Sequence, residues 1–133
     1  MVADGAIVEE LLRIPGLRSP SAQLRIQPGG AFEVLSTHDQ ILGGPENQVY
    51  AGCRFPAAAG YRSAIVAEAL RVGEVMAAEG VIGSFGIDFL VTPDGDVYLS
   101  EINLRMGGTT HPYWMARLAS GAAYDPVARR AIQ

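Results

Sequence analysis

The sequence predicts an α+β fold, an antiparallel sheet with helices packed on one face, on three observations. Two stretches alternate apolar and polar residues on either side of a glycine-bearing turn, as the arms of β-hairpins do. One longer stretch repeats its apolar residues at helical spacing instead. The strands therefore meet as hairpins rather than alternating singly with helices, which favours antiparallel pairing over a parallel βαβ sheet.

Taken in order, Ala6–Leu12 (AIVEELL) reads as a short strand, although its two glutamates would equally suit the start of a helix. Residues 13–21 (RIPGLRSPS) are loop by their prolines and glycine. Gln23–Gln27 and Ala31–Leu35 alternate around Pro28-Gly29-Gly30, so 22–36 is a hairpin. His38 to Pro56 lacks a period, carries glycines at 43, 44 and 52, and reads as a long functional loop with short strands in it. Ser63–Glu79 is the clearest helix: Ile65, Ala69, Val72 and Met76 share one face, and Gly80 stands at the expected stop. GSFGIDFLVTPDGDVYLSEIN, residues 83–103, alternates about Asp94-Gly95 as a second hairpin. A last helix runs from about His111 to Ala119. With no repeat or linker, residues 1–133 form one domain.

At 133 residues, 49% hydrophobic and 18% charged, the chain can bury a core and is not disordered. No segment approaches the ~20 apolar residues of a membrane span. The opening MVADGAIVEELL lacks the basic start of a secretory signal, and the single cysteine, Cys53, leaves no internal disulfide. A cytoplasmic setting is the expectation. The net charge of −4 argues against a general nucleic-acid binder. All ten basic residues are arginine, which excludes any mechanism whose lysine comes from this chain.

The second hairpin carries the chemistry. A two-residue turn at Asp94-Gly95 pairs Pro93 with Asp96 and brings Asp88 opposite Glu101. Directly opposed side chains sit about 5 Å apart, where like charges repel. Asn103, two residues beyond Glu101, shares their face. Phe85, Ile87, Phe89 and Val91 fall on the other face with Tyr98 and Ile102, against a helix. Three oxygen ligands converging from two strands suit Mg²⁺, which fills its remaining positions with water or phosphate. The plain alternative is a solvated sheet face that happens to carry charges. Arg105, on the same parity if the strand continues, could grip a phosphate bidentately. Gly107-Gly108 would let backbone amides approach an anion. His111, before Pro112, reads as structural.

These residues carry a resemblance. GIDFLVTPDGDVYLSEINLR resembles the metal-binding hairpin of ATP-grasp enzymes, in which an acid on one strand meets an E-x-N motif on the next. EINLRMGGTTHP, with SPSAQLRI, STHDQIL and GCRFP, is similar to the pheganomycin-type peptide-ligase branch. The likeness spans about Gly5 to Tyr124. It implies Asp88, Glu101 and Asn103 as Mg²⁺ ligands (Mn²⁺ would serve as well), with Glu101 bridging two ions. It implies Arg105 as the contact to the transferred phosphate. ATP would be held by the IVEELL segment through backbone groups and Glu9 or Glu10, with Leu11 and Leu12 beside them. The implied activity is ligation of a carboxylate to an amine, both small molecules or peptides, through an acyl phosphate. The rivals are an ATP-grasp ligase using another nucleophile and a catalytically silent binding or assembly module. With no lysine to hold phosphates, residues 1–133 look like a C-terminal ATP-grasp lobe. Such a lobe would need an N-terminal lobe or self-association to cover apolar surface near Ile7, Leu11 and Phe55, and no nucleic acid or membrane.

Overall fold

The structure is a computed structural model that describes residues 5, 8–45, 49–121, 123–124 and 131–132. Its elements are β1 (Pro20–Ile26), β2 (Phe32–Gly43), β3 (Val49–Arg54), α1 (Ala59–Ala78), β4 (Gly83–Val91), β5 (Val97–Asn103), α2 (Thr110–Ser120), β6 (Ala123–Tyr124) and β7 (Ala131–Ile132). Strands β1 to β5 make one antiparallel sheet in the order β3-β2-β1-β4-β5, and β6 pairs with β7 apart from it. This is the α+β class read from the sequence.

Alternation along the central strands separates two faces. Ala22, Leu24 and Ile26 of β1 join Phe85, Ile87, Phe89 and Val91 of β4 in the core, where Ile65 and Ala69 of α1 pack on them. Ser21 and Gln23 of β1 and Asp88 of β4 point to the opposite, polar face. The loop leading into α2 crosses that polar face, since Gln23 Nε2 donates to the Thr109 carbonyl at 3.3 Å.

Helix α1 begins four residues before the expected Ser63. No side chain of its own caps it. The cap comes from β2 instead: Asp39 Oδ2 accepts the Ala58 N–H at 3.0 Å, and Asp39 Oδ1 accepts the Tyr61 hydroxyl at 2.7 Å. An anion at a helix N-terminus satisfies free amides and complements the dipole. The stop is the expected one, with Gly80 at φ +78°. The Glu68–Arg71 pair, 3.4 Å apart and exposed, contributes little.

Gly73, in the middle of α1, is explained by close approach. A Cβ there would lie 2.7 Å from Phe32 Cδ2 and 2.9 Å from Leu24 Cδ2. Gly73→Val is therefore expected to destabilise the fold by about 1–3 kcal/mol through overpacking, against the helix propensity it gains. A urea midpoint unchanged or raised in that variant would refute the close approach.

Three expectations need correction. Residues 8–12 form no strand; Val8 is 95% exposed and Leu11 63%, with no described strand to pair with, while Ala6 and Ile7 lie outside the described residues. The stretch from 38 to 56 is mostly sheet: β2 runs to Gly43 and pairs with β3, with a register shift at Ile41/Leu42 that hides its period. Phe55 is not an exposed patch, because its ring packs 5.2 Å from that of His38.

Candidate metal and phosphate site

Asp88 does pair with Glu101, but two departures cancel to produce that. The hairpin closes at Thr92 and Asp96, with Thr92 N–H donating to the Asp96 carbonyl at 3.0 Å. The turn is thus three residues, 93–95, with Gly95 at φ +97°. Val91 faces Val97 and Phe89 faces Leu99, a register that left alone would bring Asp88 to Ser100. A β-bulge between Asp88 and Phe89 restores the expected partner. It also corrects the far end of β5: Val97, not Tyr98, packs against the core, and Tyr98 is 45% exposed.

The pairings line side chains up in rows across the polar face. One row runs His38, Ser21, Asp88, Glu101; the next runs Ser36, Gln23, Gly86, Asn103. Glycine at position 86 leaves open space where the second row would otherwise be filled. A cavity of about 300 Å³ lies over both rows, bounded on its far sides by Tyr50, Arg105 and the 107–110 loop.

Hydrogen bonds tie the acids together. Asn103 Nδ2 donates to Asp88 Oδ2 at 3.2 Å and to Glu101 Oε2 at 3.1 Å, so one amide bridges both carboxylates. Arg105 donates to Asn103 Oδ1 at 3.1 Å. Strand β5 ends at Asn103 in a tight turn, with Arg105 N–H donating to the Asn103 carbonyl at 2.6 Å. The guanidinium nevertheless reaches the site. On the other side Ser21 Oγ donates to Asp88 Oδ1 at 2.5 Å, and Gln40 Nε2 donates to Ser21 Oγ at 2.6 Å. Burial raises the Asp88 pKa, the Ser21 hydrogen bond opposes that rise, and the Glu101 charge adds to it.

Among the described residues, no three His, Cys, Asp or Glu side chains cluster as a metal site. The donor set here is two carboxylates and an amide, whose oxygens suit a hard cation that keeps other ligands. Of the residues expected at the nucleotide, Glu9 lines a second cavity with Ser100, Glu101 and Ile102, whereas Glu10, Leu11 and Leu12 are not among its described lining residues. Gly108 lies against Tyr50, where a Cβ would come within 3.1 Å of the ring.

Sequence reasoning passed over Ser21, Gln40, Tyr50 and His38. Only the strand order brings them to the acids. The His38 imidazole is 3% exposed, and its Nδ1 has no hydrogen-bond partner among the described residues. Burial lowers its pKa from 6.5 to about 4. A base whose pKa is depressed in the fold gives stability that is complete above its unfolded pKa and is lost as pH falls toward the folded one. Wild type should lose about 2 kcal/mol between pH 7 and pH 5 from this group, and His38→Gln should lose much less. An equal fall in unfolding free energy between the two pH values for wild type and His38→Gln, measured by urea titration, would show that His38 is not the cause.

A polar sheet face bearing paired acids, backed by one long helix, is the arrangement that comparison with known proteins places in a family. The chain belongs to the ATP-grasp domain family, which matches residues 14–109. It is 39% identical over 122 residues to the L-propargylglycine–L-glutamate ligase of Streptantibioticus cattleyicolor, covering 92% of this chain and 24% of that one. The chain thus spans about a quarter of the length of the curated relative it matches. Among solved structures, the biotin carboxylase domain of Hydrogenobacter thermophilus 2-oxoglutarate carboxylase, crystallised with MgADP and bicarbonate, superposes with a TM-score of 0.63 at 16% identity, over 84% of this chain and 26% of that one. The N5-carboxyaminoimidazole synthetase of Staphylococcus aureus, complexed with ADP, gives 0.61 at 18%, over 77% and 26%. These likenesses establish the fold. No described helix is long and apolar enough to cross a membrane.

Proposed function

We propose that residues 1–133 act as the metal- and phosphate-binding C-terminal lobe of an ATP- and Mg²⁺-dependent, cytoplasmic carboxylate–amine ligase. The observation that carries this reading is the convergence of Asp88, Glu101 and Asn103 on one open cavity, with Arg105 beside them. Similarity to a ligase that names two amino acids supports the choice of acid and amine as substrates.

In this reading Asp88 and Glu101 would hold Mg²⁺ through their carboxylate oxygens, and Asn103 would join them through its amide oxygen. Bound Mg²⁺ supplies charge neutralisation to a transferring phosphoryl group. Arg105 takes the transferred phosphate through its guanidinium. A substrate carboxylate oxygen attacks the γ-phosphorus and ADP leaves, giving an acyl phosphate. An amine then attacks the acyl carbon, inorganic phosphate departs, and the nitrogen gives up a proton. Glu9, which lines the second cavity with Glu101, would meet the nucleoside. Lysines for the phosphates would come from another polypeptide segment, since this chain has none.

The test is hydroxylamine trapping in the complete ligase that contains this chain. An acid-dependent hydroxamate formed with ADP release is the expected product. ADP release that never depends on a carboxylate would overturn the reading.

A further inference from the structure

We infer that Ser21 and Gln40 are positioning residues that confine Asp88 to single-oxygen coordination, and so select Mg²⁺ over the larger Ca²⁺; the inference rests on the metal reading above. Serine has one hydroxyl proton. Gln40 Nε2 donates to Ser21 Oγ at 2.6 Å, so that oxygen is acting as an acceptor on the Gln40 side. Its own proton is thereby directed to Asp88 Oδ1, 2.5 Å away. The relay has a single sense, because an amide N–H can only donate.

The consequence falls on the carboxylate. Asp88 Oδ1 is held toward β1 by Ser21, while Oδ2 faces β5, where Asn103 Nδ2 lies 3.2 Å from it. The two oxygens are turned to opposite neighbours. A carboxylate can chelate one cation through both oxygens only if both face it. Here Oδ2 is the oxygen that lies on the Asn103 side. Ca²⁺ takes six to eight oxygens and often uses bidentate carboxylates, whereas Mg²⁺ keeps an octahedron of single contacts. Locking Asp88 to one oxygen favours the smaller ion.

Ser21 is 2% exposed and packs between β2 and β4, so it cannot swing away to solvent. Partners that orient a metal ligand typically account for 10–100-fold in metal affinity. Ser21→Ala removes one oxygen and creates no clash, but it leaves Asp88 Oδ1 and the Gln40 amide without this partner. The metal-free melting temperature should therefore fall, and circular dichroism at the titration temperature serves as the folding control.

The experiment is calorimetric titration of the complete ligase that contains this chain with Mg²⁺ and with Ca²⁺, each with and without ADP. Ser21→Ala should weaken Mg²⁺ by about 10–100-fold while Ca²⁺ changes only a few-fold, lowering the Mg²⁺/Ca²⁺ preference. Gln40→Met, which frees the hydroxyl to rotate, should move the preference the same way by less. Ser21→Thr should restore it. Equal losses for both cations in Ser21→Ala, or an unchanged preference, would overturn the inference while leaving the metal site standing. A wild-type protein that binds neither cation, with or without ADP, would instead overturn the metal reading, and this inference with it.

Discussion

Glu101→Gln should erase the Mg²⁺ dependence of both stability and turnover. In the metal-free chain Glu101 is one of the influences that raise the Asp88 pKa, second to burial among the raising causes. An acid whose folded pKa is raised favours the fold at low pH and loses that contribution as pH rises through the raised value. At neutral pH the pair is therefore a liability, and the Asn103 bridge relieves it only in part. A cation that binds only the native state adds RT ln(1 + [L]/Kd), about 1.4 kcal/mol at tenfold excess. For a domain of this size that is roughly 3–6 °C in melting temperature. Glutamine keeps the shape, removes one charge and one ligand, and should leave the metal-free domain equal or slightly more stable. Turnover in the complete ligase should fall by several powers of ten, the scale on which catalytic charge stabilisation is lost. A wild-type melting temperature that ignores millimolar Mg²⁺, with and without nucleotide, would refute this account.

The second large effect concerns the 133 residues by themselves, which should bind MgATP weakly and turn nothing over. In the proposed reading their contacts to the phosphates reduce to one metal site and Arg105, and Glu101 and Arg105 at the cavity are exposed. Charge-assisted hydrogen bonds contribute about 1.5–3 kcal/mol each. Lacking two of them weakens binding by about two to four powers of ten. Exposed apolar side chains point to a covering partner or to self-association: Leu104 and Met106 follow the site, and Met115 and Leu118 stand one turn apart on α2. Calorimetry on the monomer decides it. Micromolar affinity for MgATP, or acyl-phosphate turnover without a partner, would show that these residues suffice.

Legibility varied with the range of the interaction that decides each feature. Helix α1 was readable because Ile65, Ala69, Val72 and Met76 repeat locally and Gly80 closes the last turn. Its first turn was not, because the capping carboxylate is Asp39, 19 residues away on another strand. The acids Asp88 and Glu101 were legible as a pair, yet the turn length assumed for them was one residue short. Nothing in the string GDVYLSEIN announces a bulge, since bulges follow from how a strand fits its neighbours. Ser21 and Gln40 were invisible as site residues for a related reason. Serine and glutamine alternating with apolar residues look like any solvated strand face until β1 is placed between β2 and β4.

The bulge at the middle of the second hairpin also bears on how such a hairpin can change length over evolutionary time. On the turn side of it, odd-numbered Val97 packs inward; on the site side, even-numbered Ile102 does. The extra residue, Ser100, sits where the two phases meet. Removing it would join Leu99 to Glu101 with the paired acids still facing one another. The tip of the hairpin is thereby uncoupled from the end that carries the paired acids. A gap or an added residue between Thr92 and Ser100 can be absorbed at the bulge, whereas the same change between Glu101 and Asn103 has nowhere to go.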